Sequence, residues 1–187
     1  MPNSAVTSVF DALHERRSSS KVTDEAPSHD EVLELVEAAG QVADHSGLAP
    51  WRVIEIRGDS RRIVGESLAT ASGLHGHDAE KSVRKSFRAP LLLAVVVSPR
   101  PSVKVPYWEQ EAVASGVAHA LTLLLHERGY GAMWRTGIHT RSDAVRIAHR
   151  LEPGEQMLGW IYAGRNPDRP RERRRSRIDV ARHVSTL

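Results

Sequence analysis

The chain has 187 residues, of which 40% are apolar and 26% charged, so it is long enough to bury a sizeable core and ordinary enough in composition to be globular. It has no cysteine, which excludes disulfides, thiolate catalysis and cysteine-ligated metals. The net charge is +3, but the seven arginines from Arg165 to Arg177, set against Asp168 and Glu172, leave the rest of the chain near −2. The basicity is therefore one C-terminal segment and not a stripe across a domain, and with no reading helix or interleaved aromatics beside it no nucleic-acid partner is expected.

In chain order, Val6, Val9, Phe10 and Leu13 fall at i, i+3, i+4, i+7 and predict an amphipathic helix ending near Arg17. Ser28 and Glu31 form a capping box for a helix burying Val32, Leu35, Val36 and Ala39 and stopping at Gly40. Residues 51–57 read as a strand. Ser60 opens a short helix through Ile63, Val64 and Leu68, residues 73–77 a loop, and a charged helix follows. The apolar run 90–97 predicts a strand buried on both faces. Residues 108–128 predict the longest helix, whose small residues Ala112, Ala114, Ser115, Gly116 and Ala118 suit it to the centre of a fold or dimer. A short strand at 132–135, a helix capped by Ser142, a Pro153-Gly154 turn and a strand at 157–163 complete the reading. Strands separated by helices at uneven spacing give an α+β class, with one small sheet and helices around it. The whole chain, 1–187, is expected as a single domain with an arginine-rich extension at about 165–187. No apolar run reaches the roughly 20 residues of a membrane helix and no leader pattern opens the chain, so the expected location is cytoplasmic.

Three clusters carry possible chemistry. Arg16, Arg17 and Ser18, with Ser19, Ser20 and Lys21, combine forked cations with hydroxyls, a set that suits a phosphorylated cofactor; basic residues at a helix C-terminus equally offset its dipole. Residues 43–51 (Asp44, His45, Ser46, Gly47, then Pro50-Trp51) form a polar loop between a helix and a strand, serving either function or plain helix termination. Trp134, Arg135 and Thr136 stand between Gly131 and Gly137, where the indole either packs on a flat ring or belongs to the core. The ten histidines make no HExxH, and His75-Gly-His77 lacks a third ligand, so no metal is expected. There is no GxSxG elbow, P-loop or GxGxxG after a strand.

Taken in order, a helix ending in Arg16-Arg17-Ser18, the loop Asp44-His45-Ser46 leading to Pro50-Trp51, Phe87-Arg-Ala-Pro90, Lys104-Val-Pro-Tyr-Trp-Glu-Gln110 and Gly129-Tyr-Gly-Ala-Met-Trp-Arg-Thr-Gly137 resemble the FMN-dependent nitroreductase family, and within it the YdjA-like minimal branch. The resemblance spans about Phe10 to Ala163. It implies a nitroreductase fold, a small mostly antiparallel sheet within an intertwined homodimer, with two FMN sites each built from both subunits. Carried over by position, Arg16, Arg17 and Ser18 hold the phosphate and pyrimidine side, Gln41 and His45 reach the same FMN from the partner, and Trp134, Arg135 and Thr136 complete the pocket. One of Arg173, Arg174 or Arg175 falls where relatives place a cation on the phosphate. Two departures stand out: Gln41 replaces an arginine, and Gly47 and Ala49 replace an asparagine and a glutamine.

The implied activity is an FMN-dependent oxidoreductase moving electrons from NAD(P)H to nitroaromatic, quinone or similar small-molecule acceptors in a ping-pong cycle, with no dedicated catalytic side chain. The rival reading is a flavin-binding storage or sensing protein with little turnover; a dehalogenating or flavin-fragmenting branch is a further one.

Overall fold

The computed structural model describes residues 8–167 and 178–187. Strands β1 (Trp51–Arg57), β2 (Leu91–Val97), β3 (Tyr130–Arg135) and β4 (Gln156–Arg165) form one sheet in the order β1-β2-β4-β3, every neighbouring pair antiparallel. Around it lie α1 (Val9–Glu15), α2 (His29–Ala39), α3 (Arg62–Ala71), α4 (Gly76–Ser86), α5 (Tyr107–Glu127) and α6 (Asp143–Ala148). This is the small antiparallel sheet with surrounding helices expected of the sequence.

The continuous apolar run of β2 has a direct cause. All seven residues are buried, because the strand is central and covered on both faces. Leu91, Leu93, Val95 and Val97 pack with Leu35 and Ala39 of α2 and with Val117, Leu121 and Leu125 of α5. Leu92, Ala94 and Val96 face the other way, toward Val64 of α3 and Val145 of α6. Ala114 and Ala118 are fully buried, as befits small residues that bring α5 close to the sheet. The Ser28–Glu31 capping box is formed in both directions, and Ser142 accepts from the Val145 amide at the start of α6.

Between Val95 and Val96 the register slips by one residue, so Val95 faces Gly159 and Val96 faces Met157. The bulge turns Leu158 into the α2/α5 core. Gly159 sits at φ 134°, and a Cβ there would fall 2.9 Å from Trp134 Nε1. The end of β3 thus crosses β4 closely only because position 159 lacks a side chain.

Several boundaries differ from the sequence reading. Ser60 caps nothing: a 3₁₀ turn (Gly58–Arg61) precedes α3. The loop expected at 73–77 is cut short by α4, and β3 begins at Tyr130. Arg165 is no part of a tail. It closes β4, pairs with Glu25 at 2.7 Å and lies over the Tyr130 ring. Helix α1 ends at Glu15 and buries only Ala12; Val9, Phe10 and Leu13 are 69%, 71% and 51% exposed, so the apolar face lies open in one chain. Val6 and Arg173, Arg174 and Arg175 fall outside the described residues.

Candidate functional site

At Arg16 the backbone leaves α1 in an extended conformation (φ −51°, ψ 129°) and runs beside β3. Ser18 makes a parallel bridge with Ala132, and the Ser19 amide donates to the Ala132 carbonyl at 2.9 Å. Gly131 permits this approach: a Cβ there would lie 2.8 Å from Ser19 Cβ and closer still to Asn166 Oδ1. Ser19 Oγ donates to Asn166 Oδ1 at 3.0 Å, tying the segment to the end of β4. The first and third sequence clusters are thereby brought together at one sheet edge.

Arg17 Nη1 donates to the carbonyls of His14 (2.5 Å) and Arg16 (3.0 Å), so it does offset the helix end, as the simpler reading of that cluster has it. Across from it on α5, burial pushes His126 below its ordinary value. Arg16 and Arg17 push in the same direction and Glu15 opposes them. The cationic end of α1 therefore faces the last turns of α5.

The third cluster is split by strand alternation. Trp134 points toward α5, where its ring meets His119 edge-on at 5.1 Å. Arg135 points to the opposite face, its guanidinium 5.1 Å from the centre of the Tyr162 ring. Thr136 is exposed just beyond the strand. Burial lowers the Arg135 pKa and raises that of Tyr162. Trp134 Nε1 and Arg135 Nε are both buried without a hydrogen-bond partner among the described residues. A buried donor left unpaired costs about 1–3 kcal/mol, so each is a position where a ligand acceptor repays binding.

The second cluster lies elsewhere. Gln41 is exposed, its Nε2 only 3.5 Å from the Glu37 carbonyl. His45, on a single 3₁₀ turn (His45–Gly47), has Nδ1 2.8 Å from Glu109 Oε2 at the start of α5. Asp44 Oδ2 accepts from the Ala49 amide at 2.7 Å, while Asp44 Oδ1 is buried without a hydrogen-bond partner among the described residues. Ser46, Gly47 and Ala49 all have positive φ (68°, 60° and 44°), and two of the three are not glycine. Such strain persists only where the surroundings enforce it, and it concentrates at functional loops. Between this loop and α5 lies an open cavity of about 650 Å³, with Trp108, Ala112 and Gly116 on its helical wall.

Glu109 and His126 are seventeen residues apart on α5, about 25 Å at 1.5 Å per residue. Within one chain, His45 thus stands at the other end of this helix from Arg16 and Arg17. Sequence reasoning missed Glu109, His119, Asn166 and Tyr162. Only Glu109 had a local signal, its place in the Tyr107-Trp-Glu-Gln110 motif. Among the described residues there is no grouping of three or more possible metal ligands, and no helix is long and apolar enough to cross a membrane.

Comparison with known proteins resolves the family. The model of the Nitroreductase family matches residues 13–165. The chain belongs to the nitroreductase family. The protein named "Putative NAD(P)H nitroreductase YdjA" of Escherichia coli (strain K12) is 32% identical over 158 residues, 83% of this chain and 86% of YdjA. Among solved structures, a nitroreductase-like family protein from Bacillus cereus superposes with a TM-score of 0.84 at 21% identity, covering 98% of each chain. The FMN and NADPH-dependent nitroreductase NfnB from sphigopyxis sp. strain HMH superposes with a TM-score of 0.75 at 16% identity, covering 96% of this chain and 99% of NfnB. The fold of this family member is nitroreductase-like α+β.

Proposed function

We propose that this nitroreductase-family chain is an FMN-dependent oxidoreductase that takes electrons from NAD(P)H and delivers them to nitroaromatic, quinone or similar electrophilic small molecules, working as a homodimer. The observation that carries the reading is the Ser18–Ala132 bridge, which lays the Arg16-Arg17-Ser18 segment against the strand holding Trp134 and Arg135. The residues fit FMN: the guanidinium groups of Arg16 and Arg17 and the Ser18 hydroxyl suit its phosphate, and the orphaned Trp134 Nε1, on the same α5 face of the sheet, is a buried donor in want of an acceptor. Bound there, FMN supplies the two-electron redox chemistry, and the protein supplies position and charge. Arg16 and Arg17 would hold negative charge on the bound ring system, and NAD(P)H and the acceptor would use the one site in turn, as a ping-pong cycle requires.

The same geometry supports a homodimer. His45, bonded to Glu109, stands about 25 Å along α5 from the turn that Arg16 and Arg17 face, so it serves the same cofactor as they do only from a second copy. The uncovered face of α1 (Val9, Phe10, Leu13) supplies apolar surface for that contact. FMN and NADPH in the name of NfnB, and NAD(P)H in that of YdjA, support the choice of cofactor and donor.

The test is direct. Purified protein, as isolated or after incubation with FMN, should show flavin absorbance and oxidise NAD(P)H when a nitroaromatic is added. A protein that stays colourless after incubation with FMN refutes the reading. The exposed Gln41, held among the described residues by one long contact to its own helix, favours a second reading, flavin storage or sensing with little turnover. Flavin binding without steady-state NAD(P)H consumption would select it.

A further inference from the structure

Three consecutive residues near the start of α5, Glu109, Gln110 and Glu111, hold three different segments. Gln110 is buried and bonded to the Arg100 and Val105 carbonyls, which pins the preceding loop. Glu111 pairs with Arg141 beyond β3. Glu109 reaches His45, with Oε2 2.8 Å from Nδ1. The Glu109 carboxylate makes no other hydrogen bond or ion pair among the described residues, whereas Glu55, which also meets a histidine (His29), is shared with Arg57. His45 therefore has a carboxylate to itself, on a rigid helix, while its own loop is strained at Ser46 and Ala49.

A carboxylate oxygen accepts, so the proton of the His45 ring sits on Nδ1 and Nε2 is the nitrogen left to a ligand. We infer that Glu109 is the positioning residue for His45, fixing its Nδ1–H tautomer and ring orientation so that Nε2 meets a hydroxyl or N–H donor of the cofactor bound in the partner subunit. This rests on the reading of the site given under Proposed function. Carboxylates in the same relation to metal-ligating histidines fix tautomer and ring, and losing one commonly weakens metal binding about 10- to 100-fold, the scale by which the effect on this histidine is judged.

The experiment has two arms on the full-length protein. In the first, histidine ¹⁵N spectra of flavin-free protein report the His45 tautomer, with His45→Gln identifying its signals. Glu109→Gln should keep Nδ1 protonated, and Glu109→Ala should release the ring to a mixture or to Nε2–H. In the second, FMN affinity is measured by fluorescence quenching for His45→Ala, Glu109→Ala, Glu109→Gln and the His45→Ala/Glu109→Ala double variant, each checked for an unchanged melting transition. Glu109→Ala should weaken FMN binding about tenfold in the native background and not at all in the His45→Ala background, with Glu109→Gln restoring most of the affinity. An equal loss in both backgrounds, or a tautomer indifferent to Glu109→Ala, overturns the positioning role alone. An FMN affinity unchanged by His45→Ala overturns the placement of His45 at the flavin, and the inference falls with it.

Discussion

Gly131→Ala tests the contact on which the site depends. A methyl group at position 131 would sit 2.8 Å from Ser19 Cβ and 2.9 Å from Ser19 Oγ, with Asn166 Oδ1 nearer still. Asn166 can swing aside, but that gives up its hydrogen bond from Ser19, worth about 1 kcal/mol. Ser19 Cβ is next to the backbone, so moving it loosens the pairing of Ser18 and Ser19 with Ala132, an overpacking cost of about 1–3 kcal/mol. Against this, alanine in a strand gains about 0.5–1 kcal/mol over glycine in the unfolded-state balance. The net expectation is a loss of about 1–3 kcal/mol, a melting temperature lower by roughly 3–10 °C for a chain of this length. FMN affinity should fall at least about tenfold, because Arg16, Arg17 and Ser18 ride on the displaced segment. Melts at one fixed protein concentration and flavin titrations measure both. Placing the substitution in an Asn166→Ala background should recover only part of the loss, since Ser19 still obstructs. An alanine variant within about 0.5 kcal/mol of the parent that binds FMN normally would refute the argument.

Other expectations follow from the same structure. Arg52 Nε and Nη2 meet Glu155 at 2.7 and 2.6 Å, and this hydrogen-bonded pair holds the carboxyl down to about 2 from an ordinary 4.5. Because the folded value is depressed, the pair's stabilisation is complete above pH 4.5 and drains away as the pH falls toward 2. Arg52→Ala should therefore cost roughly 2 kcal/mol at neutral pH and flatten the acid limb of a melting-temperature profile; an unchanged limb would remove the pair as its cause. Arg17→Ala should weaken FMN binding about 10- to 100-fold while shifting stability by less than about 1 kcal/mol, since its bonds within the chain go to carbonyls at an exposed helix end. Trp160 Nε1 donates to His149 Nε2 at 3.0 Å while His149 Nδ1 donates to the Val145 carbonyl at 2.9 Å, and burial keeps this histidine below its ordinary value, hence neutral. Trp160→Phe leaves Nε2 buried and unpaired, and denaturant unfolding should show a loss of about 1–3 kcal/mol.

What the sequence determined by itself is what local physics writes along a chain. Ser28 and Glu31 announce a helix start because capping involves residues three apart. The run 91–97 announces a doubly covered strand because only such a strand has no polar face. The order of the Arg16-Arg17-Ser18, His45 and Trp134-Arg135 motifs carried the family, which whole-chain comparison bears out. Tertiary structure decided the rest. Trp134 and Arg135 are adjacent in sequence yet lie on opposite faces of the sheet, a consequence of the two-residue strand period. The periodicity of Val9, Phe10 and Leu13 told of an apolar face but not of what would cover it. Glu109 and His45, sixty-four residues apart, meet only because α5 begins beside the loop after α2. Arg16 to Ser18, readable either as a phosphate-binding set or as a cationic helix end, came to lie beside the Trp134-Arg135 strand because Gly131 lets that segment pack against β3. Spacing along the chain cannot encode such meetings, because they depend on how distant elements pack.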